Sequence, residues 1–168
     1  MDKAAYLTKL VMTYEMPLLR YARRLSRDRE DARDAVQEAF IRFARDTGRE
    51  IVNPAAWLYR TTRNLCFDQA KKKRRSMEIT LDEAVDRDGP PDDRNAPDRV
   101  VAAGDAAALV RRHINGLAPR AREVVVLKLE HEKSYREIAE ITGLSVSNVG
   151  FILCQAMKRL AAALEELR

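Results

Sequence analysis

Apolar residues along this chain recur at helical spacing, and short polar stretches interrupt them. Residues Leu7 to Arg75 read as consecutive helices. Leu18, Ala22 and Leu25 share one stripe with Leu19 beside it, while Arg20, Arg23, Arg24 and Arg27 fall largely on other faces. Ser26 to Asp31 is a polar break that carries capping residues. Beyond it Ala32, Ala35, Val36, Ala39, Phe40 and Phe43 mark a second apolar face, opposite Asp31, Asp34, Gln37, Glu38 and Arg42. Asp46, Gly48 and Asn53 predict a loop. Pro54 suits the first turn of a third helix, with Asn53 as its N-cap. Leu58, Thr61, Thr62 and Leu65 form that helix's buried stripe, with Trp57 next to it.

From Met77 to Asp98 the pattern stops. Eight carboxylates face two arginines there, and Gly89-Pro90-Pro91 and Pro97 interrupt any long helix, so this is a linker by composition. It reads either as a negative strap in a basic channel or as a solubilising tether. Helical pattern resumes near Arg99 with Val100, Ala103, Ala107, Leu109 and Val110, and pauses at Asn115-Gly116. Pro119 opens the next helix, whose expected core positions are Val124, Val125 and Leu129. Glu130 to Ser134 connects it to Tyr135–Leu153, which has the layout of a helix-turn-helix. Ile138 and Ala139 line the first helix of that motif, Gly143 ends it at a position favouring positive φ, and Ser145 N-caps the second. Val149, Ile152, Leu153, Ala156 and Leu160 are the second helix's inner face, and a final amphipathic run reaches Leu164 and Leu167. The expected fold is all-α. Two small helical domains, residues 1–76 and 105–168, are joined by an acidic flexible linker over 77–104.

Charge adds a candidate chemistry. The 168 residues carry a net charge of +5, with 46% hydrophobic and 34% charged residues. The cations cluster: seven lie between Arg60 and Arg75 against Asp68 alone. A charge run is commonly just a solvated face. This one shares its helix with Trp57, Tyr59 and Asn64, a mixture of aromatic, cationic and amide groups suited to unstacked bases. The acidic outer face of the second helix reads as a solvated face or as a protein-binding surface. No apolar run approaches a membrane span, and Met1-Asp2-Lys3-Ala4 lacks the layout of a signal peptide. The expected location is therefore cytoplasmic, with Cys66 and Cys154 as reduced thiols. Cys66, Cys154, His113 and His131 do not fall at zinc-site spacing, and both histidines read as surface or satisfied side chains. With no phosphate-cradling glycine loop and no nucleophile elbow, neither a cofactor nor an enzymatic activity is expected.

Two helical domains, an acidic linker and a terminal helix-turn-helix resemble a bacterial RNA polymerase sigma factor of the small extracytoplasmic-function group. In Asp31 to Arg42 the resemblance implies the polymerase-binding helix, with Asp34, Gln37 and Glu38 docking on the clamp helices of the largest subunit and Asp31 and Arg42 completing the set. Pro54 to Asn64, continuing to Arg75, resembles the family's −10 recognition and melting segment. It implies DNA contacts from Trp57, Arg60, Arg63, Asn64, Lys71, Lys72, Arg74 and Arg75, with the loop from Asp46 to Asn53 helping to hold a flipped base. Leu117 to Val124 and Ser134 to Ala139 look like the −35-binding domain, which implies contacts from Arg136, Ser145, Ser147, Asn148, Gly150, Phe151 and Gln155. There the chain departs from the family: Val149-Gly150-Phe151-Ile152-Leu153-Cys154-Gln155 stands where members have a basic recognition helix. Cation contacts to guanine are then largely missing, and hydrogen bonding falls to Ser147, Asn148 and Gln155, with Phe151 against a thymine methyl. Alternatively, those exposed apolar residues serve a protein partner. The implied partners are core RNA polymerase, promoter DNA and an anti-sigma factor, with no membrane insertion. Two other readings compete, a free-standing helix-turn-helix regulator and a sigma-like interaction protein.

Overall fold

Helix α1, Lys3–Leu25, opens a chain whose described residues are α-helices joined by short turns. The computed structural model describes residues 2–46, 51–80 and 105–166. Residues 81–104, most of the expected linker, and 47–50 of the expected base-holding loop lie outside them. The chain divides into two compact units.

In the first unit α1 runs through Pro17 to Leu25 and buries Leu10, Leu18, Tyr21 and Ala22. The Asp28 side chain caps α2, Arg29–Arg45, by accepting from the Glu30 amide at 3.0 Å. Ala32, Ala35, Val36, Ala39 and Phe43 are buried, and Phe40 is half-buried. Three alanines with no exposed surface let the neighbouring helices approach α2 closely. Asn53 caps α3, Pro54–Thr80, its Oδ1 accepting from the Ala56 amide at 3.0 Å. Leu58, Tyr59, Thr62, Leu65 and Cys66 of α3 close the core, while Thr61 is half-buried. The Tyr21 and Tyr59 rings pack 5.2 Å apart at its centre. Phe43 meets Trp57 edge-on at 5.4 Å. Past Gln69, α3 leaves the core and continues four residues into the stretch expected to be linker.

In the second unit α7, Val146–Glu165, packs against α4 (Asp105–Asn115), α5 (Pro119–Leu129) and α6 (Tyr135–Thr142). Pro119 stands at the start of α5, where its missing amide costs nothing. The expected core of α5 needs one correction. Leu129 is 46% exposed, and burial falls on five consecutive residues, Glu123 to Leu127. A helix touched by α4, α6 and α7 is covered on several sides, so its apolar positions lose the one-face rhythm. Leu164 is also 37% exposed, and Ala163 takes the inner position there.

Candidate functional site

The helix-turn-helix is capped at every internal end. Ser134 and Glu137 form a capping box: the Ser134 hydroxyl accepts from the Glu137 amide at 3.1 Å, and the Glu137 carboxylate accepts from the Ser134 amide at 2.8 Å. Gly143 ends α6 with φ 76°, and its amide donates to the Ala139 carbonyl at 2.9 Å. Ser145 starts α7 by accepting from the Asn148 amide at 3.1 Å. The two helix axes turn by 107° across this junction, within the range such motifs adopt. Ile138 and Ile141 of α6 and Val149 and Leu153 of α7 are buried in the core, while Ala156 and Leu160 further along α7 line a hollow with His113 and Leu117.

That packing decides what α7 presents. Ser147, Asn148, Cys154 and Gln155 are exposed, and Phe151 is 63% exposed. Arg136 of α6 is exposed as well. Two expected contacts are not free outward side chains. The Ser145 oxygen is engaged as a cap, and Gly150 is half-buried against Tyr135. A β-carbon built on Gly150 would lie 3.5 Å from the Tyr135 ring, an ordinary contact, whereas one on Gly143 meets no atom within 4 Å. Opposite outcomes follow for two alanine substitutions. Gly143→Ala is expected to destabilise by about 1 kcal/mol through its left-handed backbone. Gly150→Ala is expected to stabilise by roughly 0.5–1 kcal/mol through helix propensity. Urea unfolding of each variant measures both signs.

On α3, helical spacing gathers Arg60, Arg63, Asn64, Phe67, Asp68, Lys71, Arg74 and Arg75 on one side. Arg63, Asn64, Phe67, Asp68, Ala70, Lys71 and Arg74 line an open depression of about 510 Å³. Its floor is a stacked pair, with the Arg63 guanidinium 4.5 Å above the centre of the Phe67 ring. Asn64, Lys71, Lys72, Arg74 and Arg75 are exposed. The aromatic reading changes here. Tyr59 is only 2% exposed and belongs to the core, and Trp57 is half-buried against Phe43. The accessible aromatic is Phe67. Its signal in the sequence was spacing, three residues after Asn64 and four after Arg63, on the same side of the helix.

On α2, Asp34 and Gln37 are exposed, and Glu38 accepts from Arg42 at 2.9 Å in a solvent-facing ion pair. Asp31 differs. Its side chain is only 21% exposed and is bonded to Lys73 of α3.

Among the described residues no cluster of His, Cys, Asp and Glu could hold a metal ion. His113 is half-buried, with Nδ1 3.0 Å from the Leu109 carbonyl, and both cysteines are free thiols. Burial pushes the Cys66 thiol up, outweighing the opposite pull of the neighbouring Ser26 hydroxyl, while Cys154 is exposed. Iodoacetamide is therefore expected to modify Cys154 in the native protein and Cys66 only on unfolding, as peptide mapping would report. Because the folded Cys66 stays protonated longer than the unfolded one, its contribution to stability is complete below the ordinary thiol pKa. It is lost as pH rises through the folded value.

Among the described residues, no single helix is long and apolar enough to cross a membrane. The family model for sigma-70 region 2 matches residues 10–76, and that for sigma-70 region 4 matches residues 107–160. Among curated relatives, the ECF RNA polymerase sigma factor SigL of Mycobacterium tuberculosis is 30% identical over 172 residues, covering 98% of this chain and 92% of SigL. The ECF RNA polymerase sigma factor SigE of Mycolicibacterium smegmatis is 32% identical over 144 residues, or 84% of this chain, which spans about half (54%) of SigE. A solved structure of the sigma factor RpoE in complex with the anti-sigma factor NepR, from Bartonella quintana, shares the fold. It has a TM-score of 0.69 and 21% identity, and the match covers 96% of this chain and 98% of that one. With α1–α3 matched by one sigma region, α4–α7 by the other, and relatives spanning nearly its whole length, the chain belongs to the extracytoplasmic-function group of the sigma-70 family.

Proposed function

We propose that this chain is the non-catalytic specificity subunit of a bacterial RNA polymerase, acting in the cytoplasm. Its first unit docks on the clamp helices of the largest core subunit through Asp34, Gln37, Glu38 and Arg42 of α2. The exposed side of α3 holds the −10 element. There Lys71, Lys72, Arg74 and Arg75 bind phosphate, while Arg63 and Asn64 border the depression that takes an unpaired base and Arg60 stands one turn before them. Trp57 supports this surface from its seat on Phe43. Capturing an extruded base offsets part of the few kcal/mol that opening each step costs. The second unit anchors the −35 element through Arg136, Ser147, Asn148, Phe151 and Gln155. With the Ser145 oxygen engaged as a cap and no side chain on Gly150, contact there is by backbone approach.

The carrying observation is the division of labour on the first unit, where the carboxylates of α2 and the cation-lined depression of α3 occupy separate helices. Mixing the protein with core polymerase and transcribing a promoter library tests it. Co-elution with core and transcripts from a specific promoter class are expected. Absence of both overturns the proposal, and tight duplex binding without polymerase would point to a free-standing regulator instead. Phe151 supports a second role for α7, since a ring 63% exposed, on a helix with no cation before Lys158, suits an apolar protein partner. RpoE of Bartonella quintana is held by an anti-sigma factor, and a regulator of that class is the partner proposed for this surface. Phe151→Ala separates the roles. Loss of −35 dependence marks a DNA contact, and unchanged transcription with lost binding of the regulator marks a protein contact.

A further inference from the structure

Five consecutive cations, Lys71 to Arg75, end the basic segment of α3, yet they do not share one environment. Helical spacing puts Lys73 in register with Thr62 and Cys66, the inward side of α3, eleven and seven residues earlier. There its ammonium bonds the Asp31 carboxylate and lies 4.0 Å from that of Asp28. Both acids belong to the first turn of α2, Asp28 as its N-cap, where the helix dipole favours negative charge. The other four cations have no partner among the described residues. Asp31 is equally set apart. Its side chain is 21% exposed, against 39% for Glu38 and 51% for Arg42 further along the same helix. From Ala70 to Met77 every residue of α3 is exposed, so burial does not fix this end of the helix.

We infer that the Asp31–Lys73 pair is a positioning latch that pins the cationic end of α3 to the first turn of α2, and that neither residue contacts polymerase or DNA. The latch sets the direction in which Lys71, Lys72, Arg74 and Arg75 meet the strand, and it ties the docking helix to the melting helix. Removing Lys73 leaves a carboxylate largely shielded from water without its cation, which is why Asp31 cannot be spared to an outside partner. The hydrogen bond that Lys73 donates to Asp31 also raises the ammonium above its usual pKa.

This inference rests on the proposed function, and the test separates the two. In the free protein, K73Q or D31N is expected to speed amide exchange over residues 70–77 about two- to five-fold, the range an exposed ion pair supports. K73R, which keeps the cation, is expected to leave it unchanged. In holoenzyme on promoter DNA, K72Q is expected to lower the salt slope of binding by about 0.7–0.9, the share of one phosphate contact, while K73Q leaves it unchanged. Open-complex yield, read by permanganate footprinting, is expected to fall about two- to five-fold in K73Q and D31N and to hold in K73R. Core affinity is expected to stay within about two-fold throughout. The latch is overturned if K73Q lowers the salt slope as K72Q does, if D31N weakens core binding, or if K73R loses as much exchange protection and opening as K73Q. Faster exchange in K73Q but not in K73R, in a protein that never binds core, overturns the proposed function and leaves the latch standing.

Discussion

Replacing Lys71, Lys72, Arg74 and Arg75 together by alanine is expected to weaken holoenzyme binding to promoter DNA about a hundredfold near 0.15 M salt. These cations are exposed, lie past the last buried residue of α3, and have no partner among the described residues. Each is free to displace a counterion from a phosphate, and that release is what makes binding salt-dependent. Four lost contacts should lower the slope of log affinity against log salt by roughly 3. The loss should be nearly equal across promoter sequences, because phosphate contacts position the chain without reading bases. Asn64→Ala should do the reverse, changing base preference and leaving the slope alone. Filter binding over a salt series measures both. A quadruple variant with an unchanged slope would remove this end of α3 from the DNA path.

The second large effect is on stability. Tyr59→Ala is expected to cost about 3–5 kcal/mol, because it deletes a ring that is 2% exposed and packed on an equally enclosed Tyr21. A helical unit of this size has little more stability than that in total. Its melting temperature should fall by roughly 20 °C. The chain's one tryptophan, Trp57, lies two residues away on α3 and reports the transition by its fluorescence. Tyr59→Phe, which keeps the ring, should lose far less. If the two variants melt together, the ring pair is not the centre of this core.

The sequence made the helix ends legible because capping is local chemistry. Asn53, Gly143 and Ser145 announce their roles within four residues, and each cap forms as its neighbours require. The apolar face of α2 was equally readable, since a helix packed along one side keeps a clean period. Legibility failed where neighbours distant in sequence decide. In α5 burial from several sides erased the rhythm and moved the core from Leu129 to Val126 and Leu127. Tyr59 and Phe67 share a helix and a residue class, and only the position of Tyr21 shows which ring is enclosed. Lys73 hides in a run of like charges, and its inward register means nothing until α2 is seen to bring two acids beneath it.

The capped junction between α6 and α7 has a consequence for evolution and for engineering. The eight residues of α6 are secured at both ends by their own side chains and backbone, and α7 is secured at its start by Ser145. The scaffold's stability is thereby uncoupled from the outward residues Ser147, Phe151, Cys154 and Gln155, which can drift without unfolding what carries them. Such a motif can be re-addressed to new sequences or new protein surfaces one exposed residue at a time.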